Sequence, residues 1–216
     1  MSESGQENIT SALRVSEELS ASDFFSAEWE RAQAARLTRY WSGDAAPPAR
    51  HAEARLVWSS EALLVRFICR QEEPLVVSDA PETREKTLGL WERDVCEIFV
   101  APDTSEPEHY FEFEAAPTGE WIDLEIRCRG AERETAWDYR SNMTAAARVE
   151  EGRILIGMRV PWEAFGRRPQ AGEVWRANLF RCVGSGASRG YLAWQPTRTP
   201  RPNFHVPEAF GWLRFD

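Results

Sequence analysis

The stretch His109–Arg129, HYFEFEAAPTGEWIDLEIRCR, decides the fold class. Phe111 and Phe113 alternate with Tyr110, Glu112 and Glu114. After Ala116-Pro117-Thr118-Gly119, the residues Ile122, Leu124, Ile126 and Cys128 alternate with Trp121, Asp123, Glu125 and Arg127. A period of two sends successive side chains to opposite faces of a strand, and a Pro/Gly turn between two such runs makes a β-hairpin. If the apolar faces coincide, Phe111 and Phe113 lie over the Ile122 set, and a tight turn at 117–118 pairs Glu112 with Asp123 and Tyr110 with Glu125. The other face then gathers four carboxylates with Tyr110 and Trp121, and only Arg127 balances them. Like charges opposed across strands are unfavourable. Arginines from elsewhere, a calcium ion or water would each offset them, and the pattern does not choose.

The same signal recurs on both sides of this hairpin. Ala54–Ser59 and Leu63–Arg70 flank the turn at Ser59-Ser60-Glu61, and Asp94–Val100 forms a strand that ends before Pro102. Asn142–Val149 and Arg153–Val160 surround Glu150-Glu151-Gly152, Val174–Val183 and Tyr191–Gln195 follow, and Trp212–Phe215 closes the chain. Helical signals are minor: Ser22–Arg36, and a turn at Pro161–Phe165 punctuated by Pro161 and Gly166. Short strands at regular spacing predict an all-β antiparallel sandwich of jelly-roll type, with small helical insertions. Residues 1–22 read as a flexible or edge-pairing arm and 23–216 as one domain, since sandwiches commonly run to ~200–250 residues.

Composition narrows the function. The chain carries 26 basic and 35 acidic side chains, a net charge of −9, which disfavours the phosphate backbone of nucleic acid. Residues 1–130 hold 26 acids and 13 bases, whereas 131–216 hold 9 and 13, so net charges of −13 and +4 face each other or are simply solvated. The single Lys86 beside 25 arginines reads as a compositional trait. No apolar run of ~18 residues marks a membrane span. The polar start lacks a secretory pattern, so the chain as given reads as cytoplasmic; a trimmed secreted form would look alike. Cys69, Cys96, Cys128 and Cys182 contain no CxxC pair and sit in apolar stretches, as small buried hydrophobes do.

Ten tryptophans point to a ligand with apolar faces, because an indole is a platform for the C–H face of a pyranose while polar neighbours read its hydroxyls. Trp58, Trp137, Trp162, Trp175 and Trp212 fall in patterns that suit a core or its edge. Trp91 and Trp194 stand at strand–loop junctions, where binding residues concentrate.

The order of several motifs resembles that of the family 9 carbohydrate-binding modules. Trp91-Glu92-Arg93-Asp94-Val95-Cys96-Glu97-Ile98-Phe99 is similar to that family's W-x-x-D-x-V/C-E-I/V-F element, and His109–Phe113 to its aromatic strand. Val160-Pro161-Trp162 with Phe165-Gly166, Gly172 to Asn178 with Arg181, Trp194-Gln195-Pro196, and Phe204-His205-Val206-Pro207 with Phe210-Gly211 follow in the family's order. The resemblance spans roughly residues 50–216 and implies a sandwich related to the broader DOMON group, serving carbohydrate catabolism. It implies a mono- or disaccharide, or a chain end, held between Trp91 and Trp194. Glu97 would accept hydrogen bonds from sugar hydroxyls. Glu112 belongs to the same expected set. Arg181, opposite in parity to Phe180 and Cys182, would face the cleft as a donor. Structural calcium is a further family trait; no other cofactor is implied.

Three other functions stand beside this one. A glycosidase would need a carboxylate pair across a cleft, for which Glu112 and Asp123 are the candidates. A haem-binding relative would draw ligands from Met143, Met158 and His205. A pure interaction domain would bury Trp91 and Trp194. His205 itself suits either a structural hydrogen bond holding the last loop or a ligand contact, and no HxH or HExxH spacing supports catalytic zinc.

Overall fold

The computed structural model describes residues 8–130 and 132–216. The first seven residues of the expected arm lie outside them. Among the described residues fourteen strands form one continuous sheet. In chain order they are β1 (Ile9–Arg14), β2 (Ala34–Leu37), β3 (Arg39–Tyr40), β4 (Ala52–Trp58), β5 (Ala62–Arg70), β6 (Val95–Ala101) and β7 (His109–Ala115), then β8 (Trp121–Arg129), β9 (Glu132–Ala136), β10 (Thr144–Glu150), β11 (Arg153–Pro161), β12 (Val174–Val183), β13 (Gly190–Ala193) and β14 (Gly211–Phe215). The main path runs β10-β11-β5-β4-β1-β14-β12-β6-β7-β8-β9. It curls into two layers, because side chains of β5 and β11 meet those of β6, β7 and β12 in one core around Phe67, Met158, Phe113 and Trp175. Strand β1 lies parallel to both β4 and β14 and joins the layers.

Each layer is also covered on its outer face, which explains why β5 and β6 are almost wholly apolar instead of alternating. On one side Val15, Leu19 and Trp29 cover Val57 and Leu64. On the other, Leu90, Phe204 and Phe210 cover Phe99, Ile122 and Phe180. The helical expectation over Ser22–Arg36 shrinks to one turn, α1 (Glu28–Arg31), because Ala34–Leu37 pairs with the β4 edge as a strand. Strands β2, β3 and β9 have no counterpart in the sequence reading, and β1 falls in the arm read as flexible or edge-pairing. No helix among the described residues is long and apolar enough to cross a membrane.

The decisive hairpin differs by one residue from its expected register. Phe113 pairs with Asp123 and Glu112 with Leu124, and the loop is Pro117–Gly119. Ala116 and Glu120 close it, with Gly119 at φ 85°, the left-handed residue of a three-residue loop. A slip of one flips every side chain of the partner strand. Tyr110, Glu112 and Glu114 therefore share a face with Ile122, Leu124 and Ile126, whereas Phe111 and Phe113 share theirs with Asp123 and Glu125. The premise that failed was a single apolar face; both faces of this layer are buried.

Candidate functional site

That register builds the floor of a cavity of about 500 Å3 on the outer face of the β12-β6-β7-β8 layer. Glu97 of β6 and Glu112 of β7 line it, beside Leu124, Ile126, Tyr191 and Phe204. Glu114 stands directly across the strands from Glu97 and is fully buried. One carboxylate oxygen from each of Glu97, Glu112 and Glu114 lies within 4.8 Å of the other two. Burial raises the proton affinity of all three, and the mutual charges of Glu97, Glu112 and Glu114 raise it further at Glu97 and Glu114. Cys182 Sγ lies 3.4 Å from Glu97 Oε1, and burial pushes that thiol well up.

His205 closes one side. Its Nδ1 is 2.9 Å from the Tyr110 hydroxyl and 3.9 Å from Glu112 Oε2. Burial, with Arg133 nearby, pushes the imidazole down to about 3, so it stays neutral at physiological pH. With the Tyr110 hydroxyl donating to Nδ1, the ring proton is assigned to Nε2.

The mouth carries two exposed indoles, Trp91 and Trp137, with ring centroids 6.3 Å apart and planes tilted by 41°. Trp91 sits on a short 3-10 turn whose neighbour Leu90 is the buried anchor. Arg189 fixes that turn by donating to the carbonyls of Trp91 (2.6 Å) and Arg93 (2.8 Å). Asp94 fixes it from behind, accepting from the amides of Val76 and Gly184. Burial raises the Asp94 carboxyl in spite of those bonds.

Of the residues expected to bind, the structure brings Trp91, Glu97 and Glu112 together and places two elsewhere. Trp194 lines a different cavity, of about 520 Å3, beside β2 and β3. The far edge of its ring lies against Gly211, so Trp194 does not stand beside Trp91; the indole that does is Trp137. Arg181 points into the inter-layer core, donating to Arg50 O (2.6 Å) and Gln71 Oε1 (2.6 Å). Its parity relative to Phe180 was right, but Phe180 and Cys182 are the ones on the cavity's side of the sheet, and Cys182 lines it.

The register also separates Glu112 from Asp123, which lie on opposite faces and cannot act as a glycosidase pair. Met143 and Met158 are buried between the layers, away from His205, so the haem set does not assemble either.

The model of carbohydrate-binding family 9 matches residues 30–215. This chain belongs to that family. Solved family 9 modules share its fold: one from Caldicellulosiruptor kristjanssonii in complex with cellotriose has a TM-score of 0.67 and 11% identity, covering 96% of this chain and 93% of that one. The glucose complex from the same organism gives 0.68 and 12%, covering 96% and 95%. A Bacteroides uniformis protein proposed to bind carbohydrate gives 0.74 and 18%, covering 97% and 99%. No curated protein matches the chain in sequence.

The calcium expected from family 9 finds a poor donor set. Among the described residues the one group of three or more His, Cys, Asp or Glu side chains close enough to share an ion is Glu97, Glu112 and Glu114. Calcium takes six to eight oxygens, and one oxygen of Glu97 already faces the Cys182 thiol. Three carboxylates backed by Val95, Phe99 and Phe180 do not make that cage.

Proposed function

We propose that this chain binds a saccharide in the cavity above Glu97 and Glu112 and does no chemistry on it. The observation that carries the reading is the pair of exposed indoles, Trp91 and Trp137, at the mouth of a cavity with a polar floor. A volume of about 500 Å3 suits a mono- or disaccharide, or the end of a longer chain. The C–H face of a sugar ring would lie against the indoles and against Tyr191 and Phe204, and its hydroxyls would meet Glu97, Glu112 and His205 Nε2–H. Membership of family 9 and the glucose and cellotriose held by its solved modules support the ligand class. Binding without turnover fits the floor, since Glu97 and Glu112 lie side by side on adjacent strands instead of flanking a bond from two sides. In carbohydrate catabolism such a module holds a sugar for other proteins to act on.

Calorimetry of the full chain against glucose, xylose, cellobiose and xylobiose tests the reading. Saturable binding that Trp137→Ala weakens about tenfold or more is the expected result. A folded protein that gives no heat with any saccharide would overturn it.

A further inference from the structure

The floor has more carboxyl groups than a neutral sugar needs, and burial favours their protonated form until a cation arrives. Glu97 and Glu114 are directly opposed across β6 and β7, and Glu112 lies two residues from Glu114 on the same face. Glu97, Glu112 and Glu114 are buried, at 2%, 3% and 0% exposure. Among the described residues no lysine or arginine comes within ion-pair distance of them, and the neutral His205 is the nearest basic side chain. Arg189 is occupied by three backbone carbonyls. No N–H among the described residues donates to either oxygen of Glu114 or to Oε2 of Glu112; the two carboxyls have only each other, the Glu114 proton facing the Glu112 carboxylate. A buried carboxylate without a donor is costly, and three together cost more. The cavity opens onto Glu97 and Glu112, so a ligand can supply what the fold does not.

The number of acceptors identifies the missing group. Three oxygens within 4.8 Å of one another have a central point within about 2.8 Å of each, which a donor entering over Glu97 and Glu112 reaches once the fully buried Glu114 side chain gives way. About 2.8 Å is the N–H···O distance, and an ammonium has three donors and no acceptor. A calcium ion would be left short of ligands, and a hydroxyl brings one donor and no charge.

On the basis of the saccharide reading above, we propose that the ligand is an amino sugar, its protonated amine seated on Glu97, Glu112 and Glu114. The ring then leans on Trp91 and Trp137, and Arg133 at the rim is left for a hydroxyl or the ring oxygen. This goes further than binding sugar: it makes the floor a charge filter that favours a free amine over its acetylated form.

The test is calorimetry of the full chain at about pH 6.5, where aliphatic amines are protonated. Glucosamine, galactosamine and mannosamine are each measured beside the N-acetyl form and the parent hexose. At least one amino sugar should bind about tenfold or more tightly than both its neutral relatives. Glu114→Gln should lower the affinity for the amine more than that for the hexose. A hexose or N-acetyl sugar that binds as well as every amine overturns the proposal and leaves the saccharide reading standing. Calcium that competes with the amino sugar would also overturn it, by giving the floor to a metal. If none of the nine sugars binds while cellobiose or xylobiose does, the amino-sugar proposal falls alone; if no saccharide binds at all, both readings fall. The comparison among ligands on the unaltered chain stands even if Glu114→Gln does not fold.

Discussion

The ammonium of Lys86 lies 2.6 Å from Asp123 Oδ1, nearly out of solvent, and also donates to the carbonyls of Asp123 (2.7 Å) and Tyr139 (2.6 Å). The single lysine of the chain thereby ties the loop after β5, which carries Trp91, to β8 and to the segment that carries Trp137. Asp123 Oδ2 completes the node by accepting from the Ser141 amide. Breaking a buried pair from one side leaves an uncompensated charge, at a cost of about 3–5 kcal/mol. Lys86→Ala should show that loss in urea unfolding. Lys86→Ala with Asp123→Ala should lose less than the two single changes summed. A loss below about 1 kcal/mol for the single variant would mean the node is dispensable.

Trp137 and Trp194 should part company by assay. Trp137 is 50% exposed at the cavity mouth, so Trp137→Ala should leave the melting temperature almost unchanged while reducing saccharide affinity about tenfold or more. Trp194 is half-buried, and its ring would meet a Cβ on Gly211 at 2.5 Å. Trp194→Ala should cost about 2–4 kcal/mol of stability and leave affinity intact. The reverse pattern would move the site to the other cavity.

The three floor carboxyls give stability a definite slope with pH. In the fold burial holds the Glu114 proton well above the unfolded carboxyl value of about 4.3. Folding therefore takes up protons, and stability falls as pH rises from that value through the raised one. Glu114→Gln should stabilise the protein by about 1–3 kcal/mol at neutral pH and by little near pH 4. His205 acts in the opposite direction. It is neutral in the fold down to about pH 3 while the unfolded ring protonates near 6.5, so its share of stability is lost as pH falls through that window. Melting curves from about pH 4 to 9 for the wild type, Glu114→Gln and His205→Gln separate the two slopes. A flat difference for Glu114→Gln would show that its carboxyl is not protonated in the fold.

Gly157 of β11 has no room for a side chain: an added Cβ would overlap the carbonyl oxygen of Ala21. Gly157→Ala should lift the covering segment around Phe24 and Trp29, at a cost of about 1–3 kcal/mol. Proteolysis near residue 25 should speed up while sugar binding persists. Unchanged protease resistance would contradict that close approach.

Most strands were legible because the hairpin signals are local: a Gly or Pro turn between alternating runs, as at Glu150-Glu151-Gly152 or 116–119. What was not legible was which face counts as inside. Tyr110, Glu112 and Glu114 read as a solvent face, but loops from far along the chain, around Phe204 and Phe210, cover it, and no local pattern announces a cover. The same gap hid Trp137, a large apolar residue in a polar turn, and put Arg181 on the wrong side. Strands β1 and β9 are short and polar or frame-shifted in their burial, so periodicity has little to count. Lys86 was dismissed on composition, although a lone lysine in a long polar loop is also what a buried anchor looks like.

The position of β1 has a consequence for synthesis. It is hydrogen-bonded to β4 on one side and to β14 on the other, with Ile9 opposite Trp212 and Ala12 opposite both Leu56 and Phe215. The Trp58 indole also donates to Asp216 O (3.1 Å). While the polypeptide is still growing, one edge of this strand waits for residues about 200 positions later, and the seam between the layers stays unsealed. A nascent chain on the ribosome therefore exposes an unpaired parallel edge until its last strand emerges from the exit tunnel, and that interval is when a chaperone would find it.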